Sequence, residues 1–164
     1  MGLQSGLLDS QIHLSIPPHL NHIGLIGAAV RAVTTQAELD AQSIDQMELA
    51  IIEAITNVIR HGQVDAASAP LQVDILVFEH LLEYHVTDTG HPIPAHLFER
   101  ANDFCFAFEH LPLDQLPEGG MGLALIHTIA DEMSYHSEAG TNTLMIRRYR
   151  NRQHDQDHFC HDRG

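Results

Sequence analysis

The hydrophobic and polar positions of this chain change period several times, and each change marks an element. Residues 10–16, SQIHLSI, alternate Ile12, Leu14 and Ile16 with polar neighbours, as a half-buried strand does. Pro17-Pro18 ends that strand. Over residues 19–39 the period becomes helical, with Leu20, Ile23, Ile26, Val30 and Val33 on one side and small residues that permit close packing. A second helix follows. Ser43 is its predicted N-cap, Gln46 completes a capping box, and Gly62 stands just past its end. Met47, Ile51, Ile52, Ala54, Ile55, Val58 and Ile59 form its packed back. LQVDILVF and LLEYHVTD read as two strands of a hairpin around Glu79-His80. Residues 95–102 read as a short helix, 103–120 as a mobile loop, and 121–133 as a helix. Residues 134–137 and 143–149 read as two last strands about the turn Glu138-Ala139-Gly140.

This order predicts an α+β fold. It is a two-layer sandwich in which helices cover one face of a mixed, mostly antiparallel sheet. One domain is expected over residues 10–150, followed by a polar tail, 151–164.

The polar front of the second helix carries the first candidate chemistry. Glu53, Asn57 and His61 fall at i, i+4 and i+8, each trailing the last by roughly 40°, so they form one stripe. A carboxylate can act as a base, an amide oxygen can bind a hard cation such as Mg²⁺, and an imidazole can face a phosphate. A polar arc by itself is usually a solvated face, so the downstream segments decide. Asp88-Thr89-Gly90 ends a strand, where a carboxylate can accept the exocyclic amine proton of a base such as adenine. Gly119-Gly120-Met121-Gly122 opens a helix and points bare N–H groups where a phosphate could sit. Gly140-Thr141 leads into the last strand. The chain has no lysine, which excludes a P-loop.

Taken in order, E-x-x-x-N-x-x-x-H, D-x-G-x-P, G-G-x-G-L-x-L and G-T resemble the ATPase domain shared by DNA gyrase, histidine kinases and mismatch-repair ATPases. Within that histidine-kinase-like (Bergerat) superfamily, EAITNVIRHG and EGGMGLALIHTIADEMSY are most similar to the anti-sigma factor serine/threonine kinases. The resemblance covers about residues 10–150. It implies ATP and Mg²⁺ as cofactors. Glu53 would be the base that accepts a substrate hydroxyl proton, and Asn57 the Mg²⁺ ligand. Asp88, with Gly90 beside it, would read adenine, and Thr141 would be a second adenine contact. Gly120 and Gly122 would form the phosphate-side backbone at the hinge of a lid, and His61 would lie near the phosphates. The implied partners are an anti-sigma factor antagonist of the STAS type and a sigma factor or other regulator, with a homodimer as the assembly. One departure stands out: no Lys or Arg lies between Arg100 and Arg147, where related lids often present an arginine. Arg60, Arg100, His110 or Mg²⁺ alone would have to serve. A nucleotide-gated binding switch with weak or no kinase activity is therefore the alternative.

Composition narrows the partners. The formal net charge is −14, which disfavours nucleic acid and anionic membrane. No apolar run approaches the ~20 residues of a membrane span, and the start lacks a signal-peptide pattern. Cys105 and Cys160 suggest no disulfide framework, and a cytoplasmic location is expected. His154, His158, Cys160 and His161 lack the paired spacing of a zinc site. Phe104, Phe106 and Phe108 read as packing of the lid, and Arg147, Arg148, Arg150 and Arg152 as a solvated strand edge.

Overall fold

Alternation of side chains along five strands builds the sheet on which everything else rests. The computed structural model describes residues 7–62, 69–103 and 121–150. Its strands are β1 (Leu8–Ile16), β2 (Leu71–Phe78), β3 (Leu81–Asp88), β4 (Glu132–Glu138) and β5 (Thr141–Tyr149). They lie in the order β1-β2-β3-β5-β4. All four neighbouring pairs are antiparallel, so the mixed sheet expected from the sequence is antiparallel throughout among the described residues. The β2–β3 hairpin has the predicted bounds. The β4–β5 hairpin turns on Ala139 (φ 51°) and Gly140 (φ 79°), two successive left-handed residues of the kind that match the twist of a tight hairpin.

One face of the sheet is apolar. Leu14, Val73, Val86 and Leu144 stand side by side across four strands, as do Ile12, Ile75, Tyr84 and Ile146. Among the described residues four helices cover this face: α1 (Ile23–Gln36, entered through a 3₁₀ turn at Leu20–His22), α2 (Ala41–His61), α3 (Ala95–Asp103) and α4 (Met121–Ile129). Helix α2 is central. It packs on β3, with α1 on one flank and α4 on the other, and α3 lies against α4. The fully buried Met47, Ile51 and Ile55 of α2 meet Ile26 and Val30 of α1 in one core. Tyr84 is buried beneath them. Its hydroxyl shares a 2.9 Å hydrogen bond with Thr34, and burial pushes its phenol up to about 12.

Four details differ from the sequence reading. The N-cap of α2 is Asp40, whose carboxylate accepts the Ser43 N–H at 2.9 Å and the Ser43 hydroxyl at 2.6 Å. Ser43 is thus inside the first turn, and Gly62 is a right-handed C-cap (φ −73°) rather than a left-handed residue beyond it. Helix α4 stops at Ile129, because Met133 pairs with Ile146 as part of β4. The described arginines of the run, Arg147, Arg148 and Arg150, do not form a solvated edge, because β5 lies between β3 and β4; Arg152 lies outside the described residues. Arg148 is 5% exposed and donates to Ile129 O (2.6 Å), Ser43 Oγ (2.8 Å) and Gln46 Oε1 (3.0 Å), tying β5 to the end of α4 and the start of α2. The lid phenylalanines, the 103–120 loop beyond Asp103 and the tail lie outside the described residues.

The opposite face of the sheet is polar. Arg147 there pairs with both Glu83 and Glu132, and His85 with Glu83. Burial would raise the Glu83 carboxyl, but the hydrogen bonds from Arg147 and His85 outweigh it and hold it below its ordinary value. A carboxylate with a lowered folded pKa stabilises the fold above its unfolded pKa, and that contribution is lost as pH falls through the folded value. Glu83→Gln is therefore expected to lower the melting temperature by several degrees at pH 7. The gap to wild type should close as pH falls from 5 to 3, as followed by circular dichroism.

Candidate functional site

The stripe on α2 and the first turn of α4 are pressed together. A Cβ added at Gly122 would overlap the Glu53 carboxylate and come within 2.7 Å of Asn57 Nδ2. Only glycine lets the α4 backbone approach the stripe this closely. The amide N–H groups of a first helical turn have no partner within the helix, so this contact brings such donors near a carboxylate and an amide. Glu53 and Asn57 are both half-buried, held by the packed back of α2.

Beside this contact opens a cavity of about 190 Å³, lined among others by Asn57, His61, Asp88, His91, Gly122 and Tyr135. Its floor is apolar: Ala54 and Val58 from α2, Val86 from β3, Leu123 from α4 and Leu144 from β5. A cavity with apolar walls and a few directed polar groups suits a flat heterocycle with a polar edge. Asp88, only 8% exposed, stands in its wall at the end of β3. Its Oδ1 accepts the Gly90 N–H at 2.7 Å. None of the described lining residues is Lys or Arg, so among them His61 and His91 are the ones that can carry positive charge.

Of the residues singled out from sequence, the fold gathers Asn57, His61, Asp88 and Gly122 around one cavity, with Glu53 against Gly122 and Gly90 against Asp88. Arg60 and Arg100 are exposed and outside the lining. Gly120 and His110 lie outside the described residues. Thr141 does not reach the cavity. Alternation along β5 turns it to the polar face opposite Glu138, and brings the next residue, Asn142, to Asp88 at 3.0 Å. Sequence inspection also passed over Tyr135. Its hydroxyl accepts the Ile93 N–H at 2.9 Å and its ring lies 5.9 Å from that of Phe98, fixing the wall of the cavity to β4. Burial raises the Tyr135 phenol above its ordinary value. The period-two count along β4 and β5 was the signal that pointed inward to both residues.

The geometry is that of a known domain. The histidine kinase-like ATPase domain matches residues 16–148, and the chain belongs to that family. Its relatives include the serine-protein kinase RsbW of Bacillus velezensis, 29% identical over 83% of this chain and 84% of the relative. The RsbW of Bacillus subtilis is 25% identical over 89% and 90%. Both relatives are named serine-protein kinases, the class of kinase that the sequence motifs resemble. Two solved structures share the fold. The RsbU and RsbW domains of Rv1364c from Mycobacterium tuberculosis give a TM-score of 0.61 at 18% identity, covering 85% of this chain and 32% of that one. The SiaB–SiaC complex from Pseudomonas aeruginosa gives 0.60 at 17% identity, covering 83% and 88%.

The contact between Gly122 and the stripe makes a prediction. Gly122→Ala should force α4 away from Glu53 and Asn57, at a cost of about 1–3 kcal/mol in packing. Nucleotide affinity measured by calorimetry is expected to fall at least tenfold, while circular dichroism retains the folded spectrum. Unchanged affinity would mean that the α2–α4 spacing does not shape the site.

Proposed function

We propose that this protein is a cytoplasmic ATP-dependent serine/threonine protein kinase of a partner-switching system. It would bind a sigma factor or another regulator and phosphorylate a small STAS-type antagonist domain. The observation that carries the reading is the meeting of Glu53 and Asn57 with the start of α4 at the mouth of a cavity that ends on Asp88. Its relatives named serine-protein kinase support the transfer chemistry. The neighbour solved as a complex of SiaB with SiaC supports a protein partner.

The residues fit an ATP–Mg²⁺ group. Asn57 offers the amide oxygen that a hard cation takes, and Gly122 leaves room at the phosphate side. When bound, Mg²⁺ would neutralise charge on the phosphates. Phosphoryl transfer asks mostly for positioning and one base. Glu53 is the carboxylate of the stripe. It accepts the proton of a serine or threonine hydroxyl as that oxygen attacks the terminal phosphorus and ADP departs. Asp88 accepts the base's exocyclic amine, and His61 and His91 border the cavity where charge must be balanced. A homodimer is the assembly in this reading.

A second reading is favoured by one observation: no described lining residue is Lys or Arg. A nucleotide-gated switch that holds its partner and transfers phosphate poorly needs fewer cations than a kinase does.

One experiment separates the two. Glu53→Gln should keep ATP affinity and partner binding while losing roughly 10²–10⁴-fold in the initial rate of phosphate incorporation into an antagonist domain. Asn57→Ala should remove the Mg²⁺ dependence of ATP binding in the same assays. Transfer at equal rates by wild type and Glu53→Gln would remove Glu53 as the base. ATP-dependent partner binding without any transfer in wild type would establish the switch.

A further inference from the structure

A buried carboxylate needs hydrogen bonds, and how they are arranged decides which of its oxygens stays available. Asp88 Oδ1 accepts two, from Gly90 N (2.7 Å) and from Asn142 Nδ2 (3.0 Å). No described residue donates to Oδ2. Asn142 is itself 1% exposed, and its amide also donates to Gly90 O at 2.9 Å. The far end of that amide is fixed as well, since its Oδ1 accepts the Ser137 hydroxyl at 2.8 Å. A flipped amide would set an oxygen against two acceptors, Asp88 Oδ1 and Gly90 O, so only one orientation satisfies the site. Ser137, Asn142 and Asp88 are also backbone partners, forming one row across β4, β5 and β3. The donor chain thus runs through three adjacent strands and ends on the carboxylate in the cavity wall.

We propose that Asn142 is the positioning residue that sets base selectivity here. By engaging Asp88 Oδ1 and Gly90 O it leaves Asp88 Oδ2 as a fixed acceptor, matched to the 6-amino group of a purine and mismatched to a 6-oxo group. The inference rests on the nucleotide-binding reading of this cavity and deepens it. A donor to Asp88 Oδ1 keeps the carboxylate oriented. An acceptor in the same place would repel it and free it to rotate, which loses the contact to a 6-amino group and relieves the clash with a 6-oxo group.

The test compares ATP, ITP and purine riboside triphosphate, which carry an amino, an oxo and no group at position 6. Affinities are measured by calorimetry on wild type, on the isosteric Asn142→Asp and on Asn142→Thr, whose hydroxyl can still donate. The readout is the ratio of affinities, which a general loss of stability does not move. Wild type is expected to prefer ATP over ITP by roughly tenfold or more, the cost of leaving a buried polar group mispaired. Asn142→Asp should reduce that preference to less than about threefold, with purine riboside triphosphate changing least among the three. Asn142→Thr should keep most of it. Equal weakening of all three nucleotides by Asn142→Asp, or equal loss of preference in both variants, would make Asn142 a packing residue and overturn the proposal. A wild type that binds all three equally would remove Asp88 as the base reader and the proposal with it. A wild type that binds none would overturn the nucleotide reading itself.

Discussion

The separation of α2 and α4 is the constraint on which the site depends. At one end Gly122 removes the side chain that would hold the helices apart. At the other, the Arg148 guanidinium joins the last carbonyl of α4 to Ser43 and Gln46 in the first turns of α2. A buried guanidinium is costly unless its donors are engaged, and here the oxygens that engage it come from both helices. The spacing is therefore set twice, by the absence of one atom and by the geometry of one side chain. Both come from elements otherwise devoted to packing.

The distribution of charge follows a similar division. The polar face of the sheet pairs its carboxylates with Arg147 and histidines, so these ions stabilise the fold without facing the cavity. Among its described lining residues the cavity is sparing in ions: one aspartate, two histidines and mostly apolar side chains. A base set in such surroundings meets dispersion contacts on its faces and a directed acceptor at its edge. In an acidic chain the absence of lysine and arginine among the described lining residues leaves the histidines there to temper repulsion toward phosphate.

Much of this was legible in the sequence, because the patterns that define β2, β3 and α2 are local. The alternation of Leu71–Phe78 and Leu81–Asp88 and the wheel of α2 depend only on neighbours along the chain. What escaped depended on partners elsewhere. Ser43 and Asp40 are both good capping residues, and only the backbone angles show that Asp40 caps while Ser43 receives Arg148. Met133 suits a helix as well as a strand until Ile146 stands beside it. Four closely spaced arginines look solvated, yet strand alternation turns Arg147 outward and Arg148 inward. Likewise Thr141 matched a motif by residue type, while the pleat gave the inward position to Asn142.

The β4–β5 hairpin carries a consequence of parity. Its two-residue turn pairs Glu138 with Thr141 and so brings Ser137 and Asn142 to the same side of the sheet. Strand faces repeat every second residue, so an even change in turn length preserves this phase and an odd one inverts it unless a bulge absorbs the difference. The chemistry at the end of β3 thus depends on a count made more than 50 positions downstream (Asn142 and Asp88 are 54 apart in the chain).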